Sequence, residues 1–377
     1  MSSKLNILLL TFLTLLMVSC KQPNISPLEK VLWSAHPAML KVLHDPAYFE
    51  VQIRFSEIKR DAAGKVSFTD YDFRNSLENY FYPASTVKLP IAILAAEYVD
   101  SISSLSIASL YKIKGDSVFH TIEDDIRQIF AISDNDAYNR LYELLGRDYI
   151  NAKLKSKGIL PIRISHRLAT ENAGKQQRDT LVFYRELDSI YLGGGKDSMI
   201  EPLKIKKLQK GIGFMQDGSL VNAPMDFSEK NYFPIEAQHK LMKRLFFPEV
   251  FSEKERFNIS ENSLNIIKKH MYTLPRNNGY DESEFYDSYG KFFLYGDSKE
   301  RIPAHFKIYN KVGYAYGTLT ETAYIVDEKT GIEFLLTATI LVNKDEIFND
   351  DTYEYDEIGI PFLAQLGREI YLQEHEK

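Results

Sequence analysis

The chain has 377 residues, 44% of them hydrophobic and 26% charged, with 19 Gly and 14 Pro. This excludes a collagen-like or low-complexity chain and fits either two structural units or one mixed unit with a subdomain. Lysine and arginine number 46 against 52 aspartates and glutamates, a net charge of −6, which argues against a nucleic-acid partner, because neutralising phosphates takes a surplus of basic residues. The single cysteine, Cys20, excludes an internal disulfide, a four-cysteine zinc site and a Cys-x-x-Cys redox pair.

Cys20 closes an N-terminal segment in which Lys4 precedes an apolar run, Leu5 to Val18, interrupted only by Asn6, Thr11 and Thr14. The run is short for a membrane span, which needs about 20 apolar residues, and has the layout of a secretory signal. Met17-Val18-Ser19-Cys20 resembles a bacterial lipobox, in which the cysteine becomes the lipidated first residue of the mature chain. An ordinary signal peptide with a chance cysteine, or an N-terminal anchor helix, is the alternative. The resemblance implies a signal peptide over 1–19, a tether over 20–25, a folded domain over 26–377, and a location in the cell envelope, held to a membrane by the lipid.

Ser26-Pro27-Leu28-Glu29 reads as a helix start, with Ser26 as N-cap, Pro27 in the first turn and Glu29 closing a capping box. The pattern predicts one helix running through Trp33 and Met39 to about Leu43. Alternating Val51, Ile53 and Phe55, then Val66 and Phe68 after Ala63-Gly64-Lys65, predict a β-hairpin. Residues 86–192 follow a mainly helical pattern. The residues from about 195 to 300 are the least regular and read as a solvated insertion with short helices, or as a dedicated binding subdomain. Strand signals return at 306–309, 318–326 and 332–342, the last two separated by the turn Asp327-Glu328-Lys329-Thr330-Gly331. An amphipathic helix over about 358–373 closes the chain. The two hairpin regions most economically share one antiparallel sheet flanked by the terminal helices. The fold class expected is therefore α+β, a sheet and a helical lobe with a cleft between them.

Three short elements carry chemistry. In Phe81-Tyr82-Pro83-Ala84-Ser85-Thr86-Val87-Lys88-Leu89-Pro90, Ser85 and Lys88 lie three apart at a helix start. Their Cβ atoms are then roughly 5–6 Å apart on one face, and the N–H groups of the helix start favour an oxyanion. A desolvated lysine can accept the serine proton; alone, the same spacing is also a surface cap with a solvated lysine. Ser133-Asp134-Asn135 offers a hydroxyl relay and an amide for substrate, and equally reads as an N-cap or turn. Lys311-Val312-Gly313 places fixed positive charge and a glycine on a strand, or an edge lysine that discourages aggregation.

In this order, on helix, loop and strand, the three resemble the motifs of the penicillin-recognising serine enzymes: Ser-x-x-Lys, Ser-Asp-Asn and Lys-Thr/Ser-Gly. The context of Ser85 looks most like class A β-lactamases. The resemblance implies Ser85 as the acylated nucleophile and Lys88 as its proton acceptor. It makes Ser133 the relay to the leaving nitrogen, Asn135 the holder of the substrate amide and Lys311 the attraction for a carboxylate. With Gly313 on the same strand, the N–H groups of Ser85 and Tyr314 supply the oxyanion site. It implies no cofactor, no metal, and a small-molecule β-lactam or cell-wall peptide as substrate. No Gly-x-Ser-x-Gly elbow and no His-Glu-x-x-His pair occurs in the sequence.

The chain departs from the family in three places. Val312 replaces the hydroxyl residue of the third motif; the literal Lys329-Thr330-Gly331 falls in a hairpin turn. The family's deacylating glutamate, in a Glu-Pro-x-Leu-Asn context, has Glu171 of Arg167-Leu168-Ala169-Thr170-Glu171-Asn172 as its best counterpart, without the proline. The interval from Asn172 to Lys311 is longer than in the family. The leading expectation is a serine β-lactamase. A penicillin-binding peptidase or esterase that accumulates its acyl-enzyme is the alternative, and a catalytically silent envelope lipoprotein is the third.

Overall fold

The computed structural model describes residues 25–376; Cys20, the signal segment and most of the tether lie outside them. Ser26 caps α1 (Pro27–Leu32) with the predicted capping box, its hydroxyl accepting from the Glu29 N–H at 3.2 Å and its own N–H donating to Glu29 Oε2 at 2.7 Å. The single helix expected to Leu43 is two. A second, α2 (Pro37–Leu43), starts at Pro37 with His36 as its cap, because a proline disfavours helical backbone in the residue before it.

The hairpin follows as β1 (Gln52–Arg60) and β2 (Val66–Phe73). A 3₁₀ turn, Ala84–Val87, opens α3 (Lys88–Asp100), buried almost all round. Such a helix belongs at the centre of a lobe, and α3 packs against α4 (Ile122–Ile132), α5 (Asn135–Leu145) and α6 (Arg147–Ser156). The interval 86–192 is less helical than its pattern predicts. It contains a small antiparallel sheet of β3 (Tyr111–Ile113), β4 (Thr180–Tyr184) and β5 (Ser189–Gly193). Leu181-Val182-Phe183 is too short a run for a helix and is rich in β-formers.

The stretch 195–300 is not a solvated insertion throughout. It supplies α7 (Ile235–Phe246), with Ala237, Leu241, Met242 and Leu245 buried, and α8 (Glu261–Tyr272). Helix α7 lies on the sheet and α8 packs on α4. Strands β6 (Phe306–Ala315), β7 (Thr318–Asp327) and β8 (Ile332–Leu341) complete the main sheet, in the order β6-β7-β8-β1-β2, antiparallel throughout. Both hairpin regions thus share one sheet, as expected. Asp327 accepts from the Lys329 N–H at 2.9 Å and the Thr330 hydroxyl at 2.8 Å, so Lys329-Thr330-Gly331 is turn chemistry. Helix α9 (Ile360–His375) ends the fold.

The two faces of the sheet differ. One packs Phe55, Ile308, Ile325, Phe334 and Leu336 against α1, α2 and α9. The other carries a buried hydroxyl ladder, Thr320 to Thr339 and Thr322 to Thr337, each 2.8 Å, under α7, whose His239 bonds Ser56 at 2.7 Å and Thr337 at 3.0 Å. The polar face therefore has partners for its hydroxyls.

Candidate active site

Ser85 is the one residue of 81–90 that is not buried. The preceding Ala84 has φ +45°, a left-handed conformation that costs an ordinary residue roughly 1–2 kcal/mol. Thr86 locks the bend, its N–H and hydroxyl both donating to the Pro83 carbonyl at 3.1 and 2.6 Å. Strand β6 crosses directly over this turn at Gly313. A Cβ there would stand 2.6 Å from the Pro83 oxygen and 2.9 Å from the N atoms of Ser85 and Thr86. The glycine is a requirement of that approach.

Lys88 is fully buried, and its amine donates to the Ser133 carbonyl, to Asn135 Oδ1 at 2.7 Å and to the Ser133 hydroxyl at 3.3 Å. Burial pulls its pKa down to about 7, opposed by the charge of Asp134. From the other side Lys311, also buried, donates to the Ser133 hydroxyl at 2.9 Å and to the Val312 carbonyl at 2.9 Å. Burial first, then the charges of Lys88 and Lys291, hold its pKa well below the usual lysine value. Ser133 itself has φ +59°, between α4 and α5. Asp134 is the N-cap of α5, accepting from the Ala137 N–H at 2.7 Å. The middle residue of Ser-Asp-Asn caps the helix, as one of its two readings expects, while its flanking residues face the lysines.

Ser85, Ser133 and Asn135 line one cavity of about 620 Å³ between helical lobe and sheet, together with Tyr314 of β6. A model of the beta-lactamase enzyme family matches residues 56–373. The chain belongs to the beta-lactamase enzyme family. Its fold is similar to that of the β-lactamase from Sphaerobacter thermophilus, 12% identical over 93% of this chain and 97% of that one, at a TM-score of 0.51. A halotolerant bacterial β-lactamase is 15% identical over 93% and 99%, TM-score 0.51. A class A β-lactamase from Mycobacterium abscessus is 14% identical over 90% and 99%, TM-score 0.50. At such identities the likeness is one of fold. No curated protein matches the chain in sequence.

Within the beta-lactamase framework, one candidate is not brought to the site. Glu171 is exposed and lines a separate depression with Arg140, Glu143 and Lys175. The segment that carries it reaches the Ser85 cavity only through Leu168 and Ala169. A buried ion pair fixes that segment: Glu143 accepts from two Arg167 nitrogens and from the Asp179 N–H at 2.6 Å, and Arg167 also donates to the Lys175 and Gln177 carbonyls at 2.9 and 3.1 Å. Arg167→Ala strands the Glu143 carboxylate and is expected to cost about 3–5 kcal/mol, read as a lower urea midpoint.

Val312 is buried among Ile308, Leu319 and Ala323 in the apolar layer of the sheet. Sequence reasoning missed the aromatic wall of the cavity, which includes Phe285, Tyr289, Tyr353 and Tyr355. It also missed the clamp behind that wall. Lys291 donates to the carbonyls of Met271 and Ile308 at 3.1 and 2.9 Å and to Asn310 at 2.7 Å, while Glu321 accepts from Asn310 and from the Phe293 N–H at 2.6 Å. Burial lowers the Lys291 pKa and raises that of Glu321. In the sequence, residues 280–295 are rich in aromatic and acidic side chains but show no spacing that names a partner. Among the described residues no group of three His, Cys, Asp or Glu could hold a metal ion, and no helix is long and apolar enough to cross a membrane.

Proposed function

We propose that the chain is a serine hydrolase that forms an acyl-enzyme on Ser85, with the strained amide of a β-lactam as its leading substrate. The observation that carries this reading is the Ser133 hydroxyl held between the amines of Lys88 and Lys311 at the wall of the Ser85 cavity. A lysine at its ordinary pKa is neutral about once in 3,000 molecules at pH 7; at about 7 Lys88 is neutral half the time and can take the Ser85 proton. Ser85 Oγ then bonds the carbonyl carbon, and the N–H groups of Ser85 and Tyr314 receive the oxyanion. As the C–N bond breaks, Ser133 passes its proton to the leaving nitrogen and is reprotonated from a lysine. Water completes hydrolysis. The lipobox resemblance extends the reading to a lipid-anchored enzyme of the cell envelope.

One observation favours a second reading, a peptidase-like enzyme with a long-lived acyl-enzyme: the 167–174 segment sends no carboxylate to the cavity. Glu171→Gln is therefore expected to leave acylation and turnover within about twofold of wild type, measured with a chromogenic cephalosporin. The same assay, with a fluorescent penicillin beside it, tests the function. Turnover lost in Ser85→Ala supports the lactamase, and a stable label without turnover supports the peptidase-like reading. Neither signal leaves only a silent binding protein.

A further inference from the structure

The lining of the cavity carries an electrostatic message that the three motifs do not. Among the described residues no lysine or arginine lines it; Lys88 and Lys311 stand behind Ser133, buried and hydrogen-bonded to it, with Lys311 lining a small adjoining pocket. Its two charged lining residues are Asp134 and Asp351. Asp134 caps α5, accepting from the Ala137 N–H, and its charge acts on the buried Lys88. Asp351 is exposed on the loop after β8, and its charge acts on the hydroxyls of Tyr316, Tyr353 and Tyr355.

Those rings are continuous. Tyr353 and Tyr355 lie 5.3 Å apart between centroids, and Tyr355 lies 5.8 Å from Tyr314. Their free rotation is limited, because the Tyr355 hydroxyl accepts from the Gly317 N–H at 2.9 Å and the Tyr353 hydroxyl from the Asn349 N–H at 2.7 Å. Val312, turned into the apolar layer, supplies no hydroxyl to a carboxylate. An anionic group entering here meets aromatic faces and an unbalanced carboxylate, whereas a cation meets cation–π attraction and an opposite charge.

We infer that, among acyl donors, the Ser85 cavity favours those that place a cationic amine against the wall formed by Tyr314, Tyr353, Tyr355 and Asp351. This rests on the reading of Ser85 as the acylated nucleophile. The test uses three matched phenylacetyl thioesters, of thiocholine, of its neutral isostere 3,3-dimethylbutanethiol and of 3-mercaptopropionate. In each, Ser85 Oγ bonds the acyl carbon, the C–S bond breaks, and the thiol leaves with the serine proton. First-turnover thiol release is followed at low salt, with the Ser85→Ala background subtracted.

The thiocholine ester is expected to acylate at least about 10-fold faster than the mercaptopropionate ester, with the neutral ester between them. The ratio should shrink at least threefold in Asp351→Asn and in 0.5 M salt. Equal rates, or a faster carboxylate ester, overturn the inference and leave the acyl-enzyme reading standing. Labelling of Ser85 by a fluorophosphonate without reaction of the thiocholine ester does the same. If neither the fluorophosphonate nor any ester modifies Ser85, the reading falls and the inference falls with it.

Discussion

Replacing Lys88 by alanine is expected to slow acylation of Ser85 by about 10³-fold, within the 10²–10⁴ range of a positioned general base. The amine donates to the Ser133 carbonyl and to Asn135, so its removal also loosens the relay. Lys88→Arg separates charge from basicity: arginine keeps the cation but stays protonated, and its acylation should be as slow as that of the alanine variant. In wild type the acylation rate should rise with pH through about 7, the point at which Lys88 loses its proton.

Stability gives a second readout of the same group. The folded pKa of about 7 lies below the ordinary 10.5. Between these values the unfolded chain holds a proton that the folded chain lacks, so this group's contribution to stability rises with pH across that window, and its full burial cost is felt below it. Urea midpoints of wild type, referred to those of Lys88→Met, should therefore climb from pH 7 toward pH 10. A flat difference would contradict the assignment of a neutral buried lysine.

Gly313→Ala is the second large effect. Its Cβ would press on the Pro83 oxygen and on two backbone N atoms of the Ser85 turn at 2.6–2.9 Å, and backbone atoms of a packed turn cannot swing aside. Overpacking of this kind costs about 1–3 kcal/mol. A shift of about 1 Å between β6 and the nucleophile turn costs on the order of 10² in rate. Stopped-flow acylation and urea denaturation read the two losses separately. Gly290→Ala is the matched control: its added Cβ meets nothing within 4 Å, and both quantities should stay near wild type.

Much of the fold was legible because its signals are local. The Ser26 cap, the alternation in β1 and β2 and the turn at 327–331 each announce themselves within a few residues, and economy of pairing then puts both hairpin regions in one sheet. The break at Pro37 was equally local and was overridden by the apolar spacing of Leu32 and Met39. Helices α7 and α8 were hidden because irregular stretches surround them and their burial depends on elements distant in sequence, the main sheet for α7 and α4 with β6 for α8. The site divides the same way. Ser85, Lys88, Ser133, Asn135 and Lys311 sit in short motifs and meet in the structure. Glu171 was chosen by interval, and the path of the 167–179 segment, set by the Glu143–Arg167 pair, turns it toward a different depression. The tyrosine wall comes from three separate stretches, and no spacing rule joins them.

Acylation of Ser85 is read by intact-mass measurement after brief exposure to a penicillin, followed by peptide mapping. One added penicilloyl mass is expected, carried on the peptide containing Ser85, absent in Ser85→Ala and strongly reduced in Lys88→Ala. An unmodified mass in a folded protein, or an adduct on any other residue, would contradict acylation of Ser85.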